Sequence, residues 1–363
     1  MIRISDYQLF CLILLFEIGS SILFVRGIEA KQDAWIAVLI STLIGLGLMW
    51  VYTELRKKIP EENLAKMIIK ILGRNLGIPL VLFYGLFFLY CSTKNFHEFG
   101  IVLVTTFLIK TPIVVILIVF MLTALYVLFL GVEVLARTSE ILFPTIMFFI
   151  ISVVIMIGMS GRVQLEELRP VLANGWQPIF KEVYPGLVNF PFGEAVVFMM
   201  YWRYLDARQP VRSISLLAIG ISGVIIAFIV AIDICVLGVN IAAAATISFL
   251  EVIKLINIGN IITNLDAFGI VLMFIGGFYK MILFFYGGVQ AFATIFKSVD
   301  SRWIMIFSAI FVLWMSIDFE PSFPFHAWSG LYVAVPYIHN VFQTIIPPLL
   351  LLIYWLKDKK SIR

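Results

Sequence analysis

Two short stretches decide how this chain folds: Glu17-Ile18-Gly19-Ser20-Ser21-Ile22 and Asn189-Phe190-Pro191-Phe192-Gly193-Glu194. Each lies inside an apolar run long enough to cross a bilayer, and each is built to interrupt a helix there. Proline removes a backbone hydrogen bond and clashes with the preceding turn. Glycine lowers the cost of unwinding. Main-chain groups freed at membrane depth find no water in the hydrocarbon, so they need protein or a lined cavity as partner. A broken helix facing a cavity meets that need.

The rest of the sequence supplies the setting for these breaks. Of 363 residues, 62% are hydrophobic and 13% are charged, against about 25% charged in a soluble domain. The mean hydropathy is +1.06, which leaves the bilayer as the main solvent. The apolar runs are continuous and lack the alternation of a membrane β-barrel. At roughly 20 residues per span, the chain reads as an all-α integral membrane protein of about ten transmembrane helices. The predicted spans are 7–26, 35–55, 78–104, 113–131, 141–160, 184–204, 214–239, 265–296, 303–318 and 332–357. The first run carries Glu17 and the Gly-Ser-Ser triplet with no small-x-small site after it, so it reads as a retained span. With the N-terminus inside, 17 Lys and Arg residues fall on the inner side and 7 on the outer. This imbalance predicts that both termini are cytoplasmic.

The two breaks then occupy spans one and six, equivalent places in two sets of five. The expected organisation is one transporter-like domain over 1–363, with repeat 1 at about 7–160 and repeat 2 at about 184–357. In a 5+5 inverted repeat, paired discontinuous helices form a site at mid-depth. Amides near Ser20, Ser21 and Ile22 would offer a positive helix end to a carboxylate, and carbonyls near Asn189 and Phe190 a negative end to an ammonium. The candidate ligand-binding residues are therefore Gly19, Ser20, Ser21, Asn189, Phe190, Pro191, Gly193 and Glu194. The plainer alternative is a pair of packing kinks, since Gly-Ser-Ser is common where helices touch.

Six ionisable residues lie within or near apolar runs: Glu17, Lys94, Glu98, Glu194, Asp233 and Lys280. A charge at the bilayer centre costs about 2.5–3.5 kcal/mol on insertion scales, so such residues face the protein interior. Lys94 and Glu98 sit four apart on one helix face and form the simplest ion pair. Lys280 is too deep to snorkel and needs a partner, either Glu194 or Glu17. Glu17 and Lys280 are the charge-coupling candidates, the ammonium standing where a coupling cation would otherwise sit. Glu194 either serves the site or caps the second half of span six.

Other readings are limited. Cys11, Cys91 and Cys235 each lie in an apolar run and read as small buried hydrophobes. No metal-ligand spacing, disulfide framework or cofactor motif is visible. Enzyme signatures such as a His-Glu-x-x-His pair, a phosphate-binding loop or Gly-x-Ser-x-Gly do not occur. No basic run interleaved with aromatics points to nucleic acid. Segments 161–183 and 240–264 on the outer side, and 60–73 on the inner, read as short packed or interfacial helices. Pro144 and Pro347-Pro348 are expected to kink spans five and ten.

The Gly19-Ser20-Ser21-Ile22 and Phe190-Pro191-Phe192-Gly193-Glu194 pair resembles the amino acid/polyamine/organocation transporter superfamily. Ser5-Asp6-Tyr7-Gln8-Leu9-Phe10 precedes the first break, and Leu168-Arg169-Pro170-Val171-Leu172-Ala173-Asn174-Gly175 precedes the second. With these, the chain resembles the B subunit of GerA-type spore germinant receptors, the endospore germination permease family, over essentially its whole length. That resemblance implies a subunit of the spore inner membrane that senses a nutrient, often an amino acid. It also implies an A-type membrane subunit and a C-type lipoprotein as partners, and a pocket at Gly19, Ser20, Ser21 and 190–194. The alternative is a proton- or sodium-coupled amino acid transporter.

Overall fold

The computed structural model describes residues 4–206, 208–256, 266–319 and 322–361. Among them, ten helical segments are long and apolar enough to cross a membrane: Asp6–Leu23, Ile28–Lys58, Arg74–Thr106, Ile113–Leu130, Val132–Met159, Gln177–Met200, Val211–Ala244, Val271–Ile295, Ser301–Asp318 and Pro324–Lys357. These are spans one to ten. The predicted start of span eight at Leu265, and the end of the outer segment 240–264, lie outside the described residues.

Spans one, six and eight form the interior. Their most apolar windows are 83%, 78% and 78% buried, against 22% for span five. Span four, and span five beyond Glu140, are apolar all round and present exposed Val119, Leu122, Phe148 and Ile155 outward, as lipid-facing helices must. Span one starts at a reciprocal cap. Ser5 Oγ accepts the Gln8 N–H at 3.1 Å, and Gln8 Oε1 accepts the Ser5 N–H at 3.0 Å.

Packing between spans has an internal symmetry. Span one packs on seven and on five, while span six packs on two and on ten. Span three packs on nine, and eight on four; three runs along eight, and two along seven. Exchanging one-to-five for six-to-ten turns this set of contacts into itself, the pattern that two repeats of five spans produce.

The shorter elements behave as packed helices. In Leu64–Leu72, Leu64, Met67, Ile68 and Ile71 are buried and Lys70 is exposed. Helix Ser248–Lys254 buries Phe249, Leu250, Val252 and Ile253. The segment between spans five and six is tied back to the start of span two. Asp33 Oδ1 accepts the Leu172 N–H at 3.0 Å, and Gln32 Nε2 donates to the Pro170 carbonyl at 2.8 Å. Span five stays helical through Pro144. Span ten does not remain α-helical: residues Ser329–Ile345 form a π-helix that ends just before Pro347-Pro348.

Candidate functional site

Span one breaks where its sequence predicts. The α-helix Asp6–Ile18 ends at Gly19, whose φ of −2° and ψ of −105° leave the helical region. One 3₁₀ turn comes next, Ser21–Leu23. Phe24 is then extended and Gly27 adopts a left-handed φ of 78°, which turns the chain toward span two. The expected outer half-helix of span one is therefore not formed. A single 3₁₀ turn has no useful axial dipole to offer a carboxylate.

Span six also breaks as predicted. The helical segment Gln177–Lys181 leads to a kink at Tyr184 (φ −132°, ψ 132°), beyond which the helix runs to Asn189, turns at Phe190-Pro191, and resumes as a buried 3₁₀ helix, Phe192–Met200. The turn places Glu194 beside span eight. Lys280 Nζ lies 2.6 Å from Glu194 Oε2, and both side chains are fully buried. Glu194, rather than Glu17, is thus the carboxylate that pairs with Lys280. The same ammonium stands 4.0 Å from the Phe190 ring centroid, and the Arg26 guanidinium stands 4.2 Å from it. One aromatic ring carries two cations, an arrangement the ring quadrupole stabilises.

A cavity of about 320 Å³ lies on the far side of the bundle from the two termini. Phe24 and Arg26 line it after the break in span one, and Phe190 and Glu194 at the break in span six. Asn95 and Glu98 of span three and Gly330 and Ala334 of span ten complete the walls, with Cys91 and His339 at the Glu194 end. Ala243 and Thr246 at its rim are exposed, so the cavity reaches the surface. Lys94 donates to the His326 carbonyl at 2.8 Å and to Ser329 Oγ at 2.9 Å. It joins span three to the start of span ten.

Of the candidate ligand-binding residues, Phe190 and Glu194 line this cavity; Gly19, Ser20, Ser21, Asn189, Pro191 and Gly193 do not. Gly19 packs directly on Gly276: a Cβ added to Gly276 would fall 2.4 Å from Gly19 Cα. Its role here is close approach of spans one and eight. Asn189 latches span six to span ten, its Oδ1 accepting from Thr344 Oγ1 at 2.6 Å and its Nδ2 donating to the Pro185 carbonyl at 2.8 Å. Gly193 admits Gln343, whose Oε1 would lie 2.6 Å from an added Cβ. Glu17, Ser20 and Ser21 are buried, and their side-chain oxygens have no hydrogen-bond partner among the described residues.

Arg26, His339 and the π-helix of span ten carry no individual signal in the sequence. Only the prolines of span ten announce the last. Pro347 lacks the N–H that an α-helix would direct at the Gln343 carbonyl. Tyr52 of span two supplies the missing donor at 2.8 Å, and Tyr84 of span three donates to the Phe342 carbonyl at 2.7 Å.

Comparison with known proteins places this architecture. Residues 3–324 match the family Spore_permease, described as spore germination protein. The chain is 34% identical over 360 residues to spore germination protein KB of Bacillus subtilis (strain 168), covering 99% of this chain and 96% of that one. The chain belongs to the spore germination permease family. Within that family it is also 22% identical over 303 residues to spore germination protein YndE of the same strain, covering 81% of this chain and 82% of that one. Spore germination protein XB of Bacillus anthracis is 22% identical over 258 residues, 70% of each chain. Among solved structures, the crystal structure of MhsT in complex with L-phenylalanine superposes with a TM-score of 0.68 at 13% identity, covering 97% of this chain and 88% of that one. This likeness establishes a shared transporter-like fold.

Proposed function

We propose that this chain is the nutrient-sensing membrane subunit of a spore germinant receptor, and that its ligand is an amino acid taken between the interrupted spans one and six. The observation that carries this reading is the cavity itself. Its walls hold Arg26, whose Nε has no hydrogen-bond partner among the described residues, and Glu98 across from it on span three. A guanidinium and a carboxylate in one cavity suit the two ends of a zwitterion. The aliphatic wall of Ala334 and Val335 and the Phe190 ring suit a modest apolar side chain. That MhsT was crystallised with L-phenylalanine supports an amino acid as the class of ligand this fold accommodates.

Binding acts by population shift. A nutrient that prefers one arrangement of the bundle moves the equilibrium toward it by its differential affinity. The change passes to an A-type membrane subunit and a C-type lipoprotein of the same receptor. Both termini face the cytoplasm, the cavity faces outward, and no chemical step on the nutrient is required. A proton- or sodium-coupled amino acid transporter is the second reading, favoured by the transporter-like fold.

The test uses spores carrying Arg26→Gln or Glu98→Gln with normal amounts of the protein. The expected result is at least a tenfold rise in the nutrient concentration for half-maximal germination. Unchanged dose-response curves in both variants contradict the reading. Concentrative uptake by the purified chain alone in liposomes would establish the transporter instead.

A further inference from the structure

We propose that Cys91, Glu194 and His339 form a binding site for one borderline-soft divalent metal ion, of which Zn²⁺ is the best match. The three side chains come from spans three, six and ten and meet at the inner end of the cavity. One donor atom from each lies within 4.8 Å of the others, and all three residues are buried. Cys91 Sγ and His339 Nε2 are 3.8 Å apart. Two ligands at Zn–S of about 2.3 Å and Zn–N of about 2.0 Å with a tetrahedral angle are separated by about 3.5 Å. The pair therefore needs to close by only a few tenths of an ångström.

The surroundings complete the donor set. Glu194 gives one oxygen, Oε2, to Lys280 at 2.6 Å; the other, Oε1, lies 3.9 Å from His339 Nδ1 and swings toward Nε2 to join Cys91 on a metal. One carboxylate oxygen is thereby fixed and the other remains for a metal. Gln343 lies 3.2 Å from His339 Nδ1. Exchanging the two ends of its amide, which are nearly identical in shape, puts Oε1 where it accepts the Nδ1–H. That fixes the tautomer with Nε2 bare, the usual arrangement around a metal-bound imidazole. Thiol, imidazole and carboxylate donors together select zinc-like ions over calcium or magnesium. Binding releases the Cys91 proton to solvent, and the fourth tetrahedral position faces the cavity. Three spans distant in sequence are pinned at one point.

The metal site is tested without any nutrient, so it stands or falls apart from the reading above. Untagged full-length protein in detergent is titrated with Co²⁺ alone. The expected result is one equivalent bound, with a thiolate-to-cobalt charge-transfer band that stoichiometric Zn²⁺ abolishes. Cys91→Ser removes the band, while Cys11→Ser keeps it. Gln343→Ala keeps the band but weakens affinity about 10–100-fold, as loss of an orienting partner does. In a Cys11→Ser, Cys235→Ser background, Zn²⁺ also slows alkylation of Cys91, which needs no change at the site. Absence of the band in monodisperse protein, a band that survives Cys91→Ser, or alkylation indifferent to Zn²⁺ overturns the proposal.

Discussion

At the scale of single residues, the chemistry turns on a buried cation and its carboxylate. Lys280 is legible in the sequence as a charge too deep to reach water, but its partner is not. Glu17 and Glu194 are equally available by depth, and only the Phe190-Pro191 turn, by aiming Glu194 at span eight, decides between them. Removing one member of a buried pair leaves the other uncompensated, at a cost of about 3–5 kcal/mol. Lys280→Met is therefore expected to lower the apparent melting temperature of the solubilised protein sharply. Lys280→Met combined with Glu194→Gln is expected to recover most of that loss. Equal damage in the single and double variants would show that the pair is not the cause. Glycine size is also decisive at one contact. A Cβ on Gly276 meets the Gly19 backbone at 2.4 Å, whereas one on Gly47 meets nothing within 4 Å. Gly276→Ala should collapse the yield of folded protein and Gly47→Ala should leave it unchanged, as read by size-exclusion profiles.

At the scale of elements, the two breaks are readable because Gly and Pro act locally on the backbone. The conformation beyond each break is not. An outer half-helix is expected for span one, yet Phe24 is extended and Gly27 is left-handed. Nothing in the apolar composition of Ile22–Val25 distinguishes a half-helix from a connector, so tertiary packing makes the choice. The prolines of span ten announce a distortion, but not the π-helix upstream of them or the tyrosine that satisfies it. Tyr52→Phe leaves the buried Gln343 carbonyl without its donor, which costs about 1–3 kcal/mol. Pro347→Ala restores a backbone N–H there. The double variant should be more stable than Tyr52→Phe alone in thermal unfolding; additive losses would contradict this origin of the π-helix.

At the scale of the whole molecule, ten spans and a two-repeat packing are legible, because hydropathy and break position depend on sequence period alone. The cavity is half legible. Phe190 and Glu194 belong to it, whereas Gly19, Ser20, Ser21, Asn189, Pro191 and Gly193 serve packing or lie beside it. Arg26, Cys91 and His339 enter only through the assembly of distant spans. The charge imbalance between loops makes a separate prediction. In a cysteine-free background, Lys181→Cys should react with an impermeant thiol reagent on intact cells, and Lys58→Cys only after permeabilisation. The reverse pattern would invert the topology and point the cavity at the cytoplasm.

The central claim is that this cavity is where the nutrient is read. Gly330 lines it, and a Cβ there meets nothing nearer than Lys94 Cε at 3.7 Å, so a side chain at this position grows into the open volume. The most direct measurement is the germination dose-response of spores carrying Gly330→Phe, beside Gly47→Phe on the exposed face of span two, at matched protein levels. Loss of nutrient response, or a shift of at least about tenfold, is expected for Gly330→Phe and none for Gly47→Phe. An unaltered response in Gly330→Phe spores would contradict the claim.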